Sequence, residues 1–328
     1  MRSFRQLHFI SAALSALVLI VAVILPARAQ QLTMRIGHFP NITHVQALVA
    51  HGMSRKGEGW FEQRLGPNVK LEWYVYNAGP SAMEAIFADT VDLTYAGPSP
   101  AINAYSKARG EEIRIVAVAV DGGAALVVQP DSNLRTPADF RGKRIATPQL
   151  GNTQDVSARS WLAAGGLRIT LTGGDAHVLP TDNPDQLALF KTRQIDAVWT
   201  VEPWISRLEM EAQGRVLVDE KESVTTVLVS SRKLLDRQRD LVRRLVAANA
   251  ELTTWIRAHP AEAQAMVRDE LAAETHTQIG ADLVTHAWAR IVLTTDVNRA
   301  ALESFVSKAQ QAGFLRGAPD LARLVETP

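Results

Sequence analysis

From Leu32 to Ser230 the chain alternates short apolar runs with amphipathic ones in the order strand, helix, strand. Leu32–Phe39 reads as a strand, and the periodic stretch Val45–Ala50 as the start of a helix. Val69–Tyr76 alternates like a half-exposed strand. Ala82–Ala88 is helical, Val91–Tyr95 a short strand and Ala101–Ala108 helical again. Ile113–Val120 is apolar throughout, the pattern of a strand buried on both faces. Gly122-Gly123 interrupts the series, and Ala124–Val128 opens a second unit. Its strands are Lys143–Ala146, His177–Leu179 and Ala197–Thr200; its helices are Val156–Ala164, Pro184–Lys191 and Pro203–Ala212. Val224–Ser230 is a further strand. From Arg232 onward the pattern is helical: Leu241–His259, Ala261–Leu271, Ala281–Ile291 and Asn298–Ala312. This order predicts an α/β fold with mostly parallel sheets covered on both faces. The C-terminal helices have no sheet of their own and are expected on the first unit. Two lobes result, residues 30–124 with 226–328 and residues 125–225. They are joined by crossings near Asp121–Ala125 and Glu222–Thr226.

Ligands in open α/β sheets sit beyond the C-terminal ends of the strands, and in two-lobed proteins between the lobes. Both rules point to one cleft. Thr147–Asp155 (TPQLGNTQD) lies there, between a strand and a helix, with Asn152 or Thr153 as N-cap and Asp155 in the first turn. Free N–H groups and the positive end of the helix dipole make such a turn an anion site. Phe39–Gln46 follows the first strand, and Thr43 with Gln46 has the spacing of a capping box. In Ala96–Pro100, Ser99 is placed to cap and Pro100 to open a helix. Gly122 and Gly123 allow backbone to approach a ligand at the first crossing. Ser81 with Glu84, and Asn183-Pro184 with Gln186, carry the same chemistry and are read as plain caps. Hydroxyls and N–H groups suit a compact, strongly solvated anion without a full countercharge.

The N-terminus changes the compartment. Arg2 and Arg5 precede an apolar run, Phe9–Leu25, and Ala27-Arg28-Ala29 is a peptidase-type site, so residues 1–29 are expected to be a cleaved export signal. That removes Arg2, Arg5 and Arg28 and no acid. The 35 basic residues become 32 against 34 acidic ones, a formal charge of −2. No basic face is implied, and nucleic acid is not an expected partner. Cysteine is absent, which excludes disulfides, thiolate catalysis and thiolate metal sites. A soluble monomer in a Gram-negative periplasm is the expectation.

Trp199-Thr200-Val201-Glu202-Pro203-Trp204 ends a strand and opens a helix. Trp199 is a candidate aromatic wall for an organic tail, or a core residue; Trp204 is read as core. Glu202 is a candidate partner for a ligand ammonium. His38 and His44 form a conceivable metal pair, but no third ligand stands near them in sequence. His44 is read as a hydrogen-bond donor to ligand and His38 as structural. No nucleophile–base pair, nucleotide loop or cofactor motif is found, so no catalytic residue, metal or cofactor is expected.

Several runs together resemble the periplasmic solute-binding proteins of the aliphatic sulfonate, taurine and nitrate ABC importers, most of all the sulfonate branch. They are IGHFPNITHVQALVA (36–50), NAGPSAMEAIFADTVDLTYAGPSPAINAY (77–105), GGAALVV (122–128), RGKRIATPQLGNTQD (141–155), NPDQLALF (183–190) and DAVWTVEPW (196–204). The resemblance implies a type II periplasmic binding protein fold, two Rossmann-like lobes with a two-segment hinge and a ligand cleft between them. It implies capture of a small anionic ligand by hinge closure and delivery to the permease and ATPase subunits of an importer. Carried over onto this chain, the family's pocket loops give Asn41, Thr43, His44, Gly97, Ser99, Gln149, Asn152 and Thr153. The residue reading adds Gly123, Trp199 and Glu202. An aliphatic sulfonate is the expected ligand. Taurine, a sulfate ester or nitrate, or a sensory role, are the alternatives. An enzyme of the pyrimidine-precursor synthase type is disfavoured because its cysteine motif is missing.

Overall fold

A computed structural model describes residues 31–328; the expected export signal, residues 1–29, lies outside the described residues. The first half of the chain forms β1 (Leu32–His38), a 3-10 turn (Ile42–His44) running into α1 (Val45–Arg55), α2 (Trp60–Leu65), β2 (Val69–Val75), α3 (Gly79–Phe87), β3 (Leu93–Ala96), α4 (Pro98–Lys107) and β4 (Ile113–Gly122). Beyond Gly123 come β5 (Ala124–Val128), β6 (Arg144–Thr147), α5 (Thr153–Ala164), a small hairpin of β7 (Ile169–Thr170) and β8 (Gly173–Gly174), and β9 (His177–Pro180). They are followed by α6 (Asn183–Lys191), β10 (Ala197–Val201), α7 (Trp204–Ala212) and β11 (Arg215–Asp219). The chain returns through β12 (Val224–Ser231) and ends in α8 (Arg232–Ala258), α9 (Pro260–Thr275), α10 (Ala281–Trp288), β13 (Ile291–Leu293) and α11 (Arg299–Gln311).

Two larger sheets result, in the orders β13-β4-β12-β3-β1-β2 and β11-β5-β10-β6-β9. They are mixed, not mostly parallel as the strand–helix alternation predicts. β1/β3, β6/β10 and β6/β9 pair parallel, whereas β12 pairs antiparallel with β3 and β4, and β5 with β10 and β11. The cause is the double crossing. β5 and β12 each start at a crossing and so run away from the cleft, while β3, β4, β6 and β10 run towards it.

In the second sheet, successive residues of β10 face opposite cores. Ala197 and Trp199 pack with Phe140, Leu162 and Val178, while Val198 packs with Phe190, Trp204 and Ile205. The first sheet buries Ile115, Val118 and Val227 against Ile86, Tyr105 and, from α11, Leu302 and Phe305. The C-terminal helices therefore do join the first sheet, but α11 also meets a helix that covers the second: Ser160 Oγ of α5 donates to Gln311 Oε1 of α11 at 2.6 Å. The helix expected over Ala281–Ile291 stops at Trp288, because Ile291–Leu293 adds an edge strand beside β4. Three residues are too few for a period-2 signal to register.

Candidate functional site

Five helical starts meet between the two sheets. From the first side come the turn leading into α1 and the N-termini of α3 and α4; from the second come the N-termini of α5 and α6. Asn41, Thr43 and His44, then Asn77 and Gly79, then Gly97 line one wall. Asn152, Thr153, Gln154 and Asn183 line the other, with Thr225 at the floor where β12 begins. Among the described residues no Asp, Glu, Lys or Arg lines this cavity. Its positive character comes from N–H groups and from helix dipoles, each worth roughly half a unit charge at the N-terminus. The space open to the centre of a water-sized sphere is about 20 Å³, room for a water-sized group.

Several polar side chains are held with donors to spare. Asn41 Oδ1 accepts from Trp204 Nε1 at 3.1 Å, which leaves its amide N–H₂ unused among the described residues. Asn183 Oδ1 likewise accepts from Thr200 Oγ1 at 3.0 Å, so its Nδ2 is the free end. Thr153 Oγ1 accepts from Ser99 N at 3.4 Å and keeps its own proton to give. Burial, then the neighbouring His38, lowers the pKa of His44 well below the usual histidine range, so the ring is neutral. Its Nδ1 accepts from Phe39 N at 3.4 Å, which assigns the proton to Nε2.

The turn before α5 is built as a unit. Asn152 is the N-cap, and its Oδ1 accepts from Asp155 N at 2.8 Å. Asp155 is fully buried, takes Gly151 N at 2.9 Å and Thr147 Oγ1 at 3.0 Å, and pairs with Arg159 at 3.0 Å. Its charge is thus spent on Arg159 and on the loop, which leaves the helix N-terminus for a ligand.

The walls touch across the cleft. Asn77 Nδ2 donates to Asp182 Oδ1 at 2.8 Å and to Pro148 O at 3.3 Å, and Ser81 Oγ to Gln149 Oε1 at 3.3 Å. Ile42 N donates to Glu202 O at 2.9 Å. Arg290, just before β13, pairs with Glu202 at 3.0 Å and Glu209 at 2.8 Å, and Lys308 with Glu220 at 3.4 Å. The arrangement is a closed one.

Residues 27–269 match the NMT1-like family. The chain belongs to the NMT1-like family. Among its relatives is the "Putative aliphatic sulfonates-binding protein" of Bacillus subtilis (strain 168), 23% identical over 222 residues, 65% of this chain and 64% of the relative. The protein of the same name from Escherichia coli (strain K12) is 28% identical over 156 residues, 47% of this chain and 46% of the relative. The chain thus matches less than two thirds of either relative's length. The alkanesulfonate-binding protein of Xanthomonas axonopodis pv. citri, solved with MOPS bound, superposes with a TM-score of 0.73 at 21% identity, over 92% of this chain and 100% of that one. The periplasmic nitrate-binding protein of Synechocystis PCC 6803 gives 0.69 at 14% identity, over 88% and 83%. This NMT1-like chain has the type II periplasmic binding protein fold, as the sequence resemblance implies.

Of the expected site residues, Asn41, Thr43, His44, Gly97, Asn152 and Thr153 line the cavity. Ser99 does not line it. It lies inside the first turn of α4, where Gly97 is the N-cap and Pro98 opens the helix; its hydroxyl is buried and unpartnered. Gln149 is half-buried and closes on Ser81 instead. Gly123 does not line the cavity; its φ is +71°, and a Cβ there would stand 2.8 Å from Ile291 and 2.9 Å from Thr43. Trp199 turns into the core beside Trp161, its Nε1 on Glu220 Oε2 at 3.1 Å. Glu202 is fully buried and faces Ser206 and Arg290. Burial raises its pKa, and the bonds from Ser206 and Arg290 oppose that rise only in part. The expected Thr43–Gln46 capping box is not made, because Gln46 reaches Ala119 O at 2.9 Å. Asn77, Gly79, Gln154, Asn183 and Thr225 are lining residues that sequence reasoning missed. Asn183 is the instructive one. It has cap chemistry, yet it is the first residue of α6 and makes no cap bond, so its side chain is free for the cavity.

Proposed function

We propose that this chain is the periplasmic solute-binding component of an ABC importer, and that it captures a small sulfonate-type anion by closure of its two lobes. The observation that carries the reading is the uncharged cavity ringed by five helix N-termini. A monoanion there gains hydrogen bonds from both walls, each charge-assisted bond worth roughly 1.5–3 kcal/mol. A full countercharge is not needed, and its absence favours release to a permease once the lobes part. The names of the relatives and the solved fold neighbours support the same ligand class and the same periplasmic setting.

The residues assigned to ligand are Asn41, Thr43, His44, Gly97, Asn152, Thr153 and Asn183, with Ser99 as a buried hydroxyl beside them. The lobe division at residues 30–124 with 226–328, and 125–225, is part of the proposal, with Gly122-Gly123 and residues 220–223 as the hinge strands' crossings. No carboxylate lines the cavity among the described residues, which favours a plain anion over zwitterionic taurine. The small volume favours a compact head group, so nitrate stands as the second reading. Calorimetry of the mature protein against nitrate, methanesulfonate, ethanesulfonate, hexanesulfonate, taurine and sulfate tests both. Micromolar or tighter binding of a short sulfonate supports the first reading, and nitrate alone the second. No heat with any of them refutes both.

A further inference from the structure

Outside the cleft, three side chains from distant parts of the chain converge on one point. They are His38 at the end of β1, His51 in α1 and Glu274 in α9, with all ligand atoms within 4.8 Å of one another. His38 and the Glu274 side chain are fully buried, and the His51 side chain is 9% exposed. His38 Nε2 lies 3.1 Å from His51 Nδ1 and 3.0 Å from Glu274 Oε1; His51 Nδ1 lies 2.9 Å from Glu274 Oε1 and 3.0 Å from Glu270 Oε1. We propose that His38, His51, Glu274 and Glu270 form a binding site for a divalent transition-metal ion of the zinc type.

Two arguments carry it. The first is proton counting. Two ring nitrogens supply at most two N–H protons, yet four close approaches join these four atoms. One N–H can be shared between two acceptors, but with the carboxylates ionised every placement of the protons leaves at least one approach unbonded, as N–H against N–H or lone pair against lone pair. A cation at the centre satisfies all four together. The second is size. Ligands about 2.0–2.1 Å from a tetrahedral metal stand roughly 3.3 Å apart, so the observed separations need to open by only a few tenths of an ångström. The donor set, two imidazole nitrogens with carboxylates, is one that zinc accepts. The surroundings hold the ligands in place: Trp73 stacks on His51 at 5.0 Å and meets His38 edge-on at 5.6 Å, and Arg55 Nε donates to Glu270 Oε1 at 2.8 Å. The site ties α9 to β1 and α1. His38 immediately precedes the turn that carries Asn41, Thr43 and His44, so metal there stiffens one wall of the cleft.

The test uses the full mature chain, untagged, stripped with chelator and dialysed, with zinc chloride as the only ligand. Calorimetry should give one ion per chain with micromolar or tighter affinity, and the melting temperature should rise by on the order of 5 °C at a hundredfold excess over Kd. Cobalt(II) should develop the visible absorption of a four-coordinate ion that zinc then displaces. His51→Asn and Glu274→Gln should each weaken zinc at least tenfold, while His177→Asn and His259→Asn, at exposed positions, leave it unchanged. Absence of both heat and cobalt absorption in the unsubstituted chain overturns the proposal. So does zinc affinity unaltered in folded His51→Asn and Glu274→Gln. If those variants do not fold, the cobalt spectrum of the unsubstituted chain decides. No sulfonate enters the experiment, so its outcome is independent of the ligand reading.

Discussion

Replacing Gly97 by alanine should abolish closure while leaving the fold intact. Gly97 has φ −73° and ψ 156°, a conformation open to alanine. A Cβ on it, however, would stand 2.2 Å from Thr153 Oγ1 and 3.2 Å from Thr153 Cβ, atoms of the opposite wall. Relief comes by turning Thr153 Oγ1 away, which gives up its bond from Ser99 N, or by parting the walls by about 1 Å, which stretches hydrogen bonds near 3 Å beyond useful range. A ligand gripped from both sides then loses about two charge-assisted bonds. That is about 3–4 kcal/mol, or roughly 10²–10³-fold in Kd. The best-bound anion of the calorimetric series, titrated into Gly97→Ala, should show that loss, with a ligand-free melting temperature within about 2 °C of the parent chain. The double substitution Gly97→Ala/Thr153→Ala removes the oxygen that clashes and leaves a contact of 3.2 Å, which small shifts absorb. It should bind no worse than Thr153→Ala alone, a coupling that a double-mutant cycle measures. Binding by Gly97→Ala within threefold of the parent chain, or strict additivity in the cycle, would refute the closed-cleft reasoning.

Other substitutions separate residues that touch ligand from residues that hold the walls. Glu202→Gln should change affinity for taurine and ethanesulfonate by the same factor in parallel titrations, since Glu202 faces Ser206 and Arg290; a selective loss of taurine would return it to the pocket. Trp199→Leu should lower stability by about 2–4 kcal/mol in urea melts through the cavity it leaves, with Kd unchanged within threefold, because Trp199 lies in the core. Arg290→Met strands the fully buried Glu202 and should cost about 2–3 kcal/mol near neutral pH. Glu202 already has a raised pKa from burial, so its favourable contribution is complete below the ordinary carboxylate range and is lost as pH rises through the raised value. Removing Arg290 raises that value further. The melting deficit of the variant should therefore be larger at pH 7.5 than at pH 4.5, and an equal deficit at both would count against the ion pair.

The parts of this fold that are local in sequence were the legible ones. Ile113–Val120 and Ala197–Thr200 announce buried strands by composition, and Asn152 caps α5 as its loop chemistry demands. What could not be read depends on partners far along the chain. Gln46 has a capping-box spacing, but Ala119 offers its amide a better-placed acceptor. Trp199 sits next to a pocket loop in sequence, yet strand alternation turns it to the face opposite Val198 and into the core. That period-2 alternation is already present in Ala197–Val201 of the sequence and is the signal that assigns Trp199 to the core. His38 and His44 were a conceivable pair with no third ligand near in sequence; the fold instead sets His38 beside His51 and Glu274, and Glu274 is 223 residues from His51.

The charges near the cleft are already paired. Arg290 is spent on Glu202 and Glu209, Lys308 on Glu220, and Arg159 on Asp155. Two of these three sets span the walls, so ion pairs outside the cavity favour closure whether or not ligand is bound. Ligand shifts the balance only by the bonds it makes in the closed form and not in the open one. Those bonds come from neutral donors at helix starts, whose strength rises as the walls exclude water. Capture and closure therefore draw on different groups. If the chain captures an anion as proposed, the ion pairs set how readily the lobes meet, and the amide and hydroxyl donors of Asn41, Asn183 and Thr153 decide which anion keeps them together.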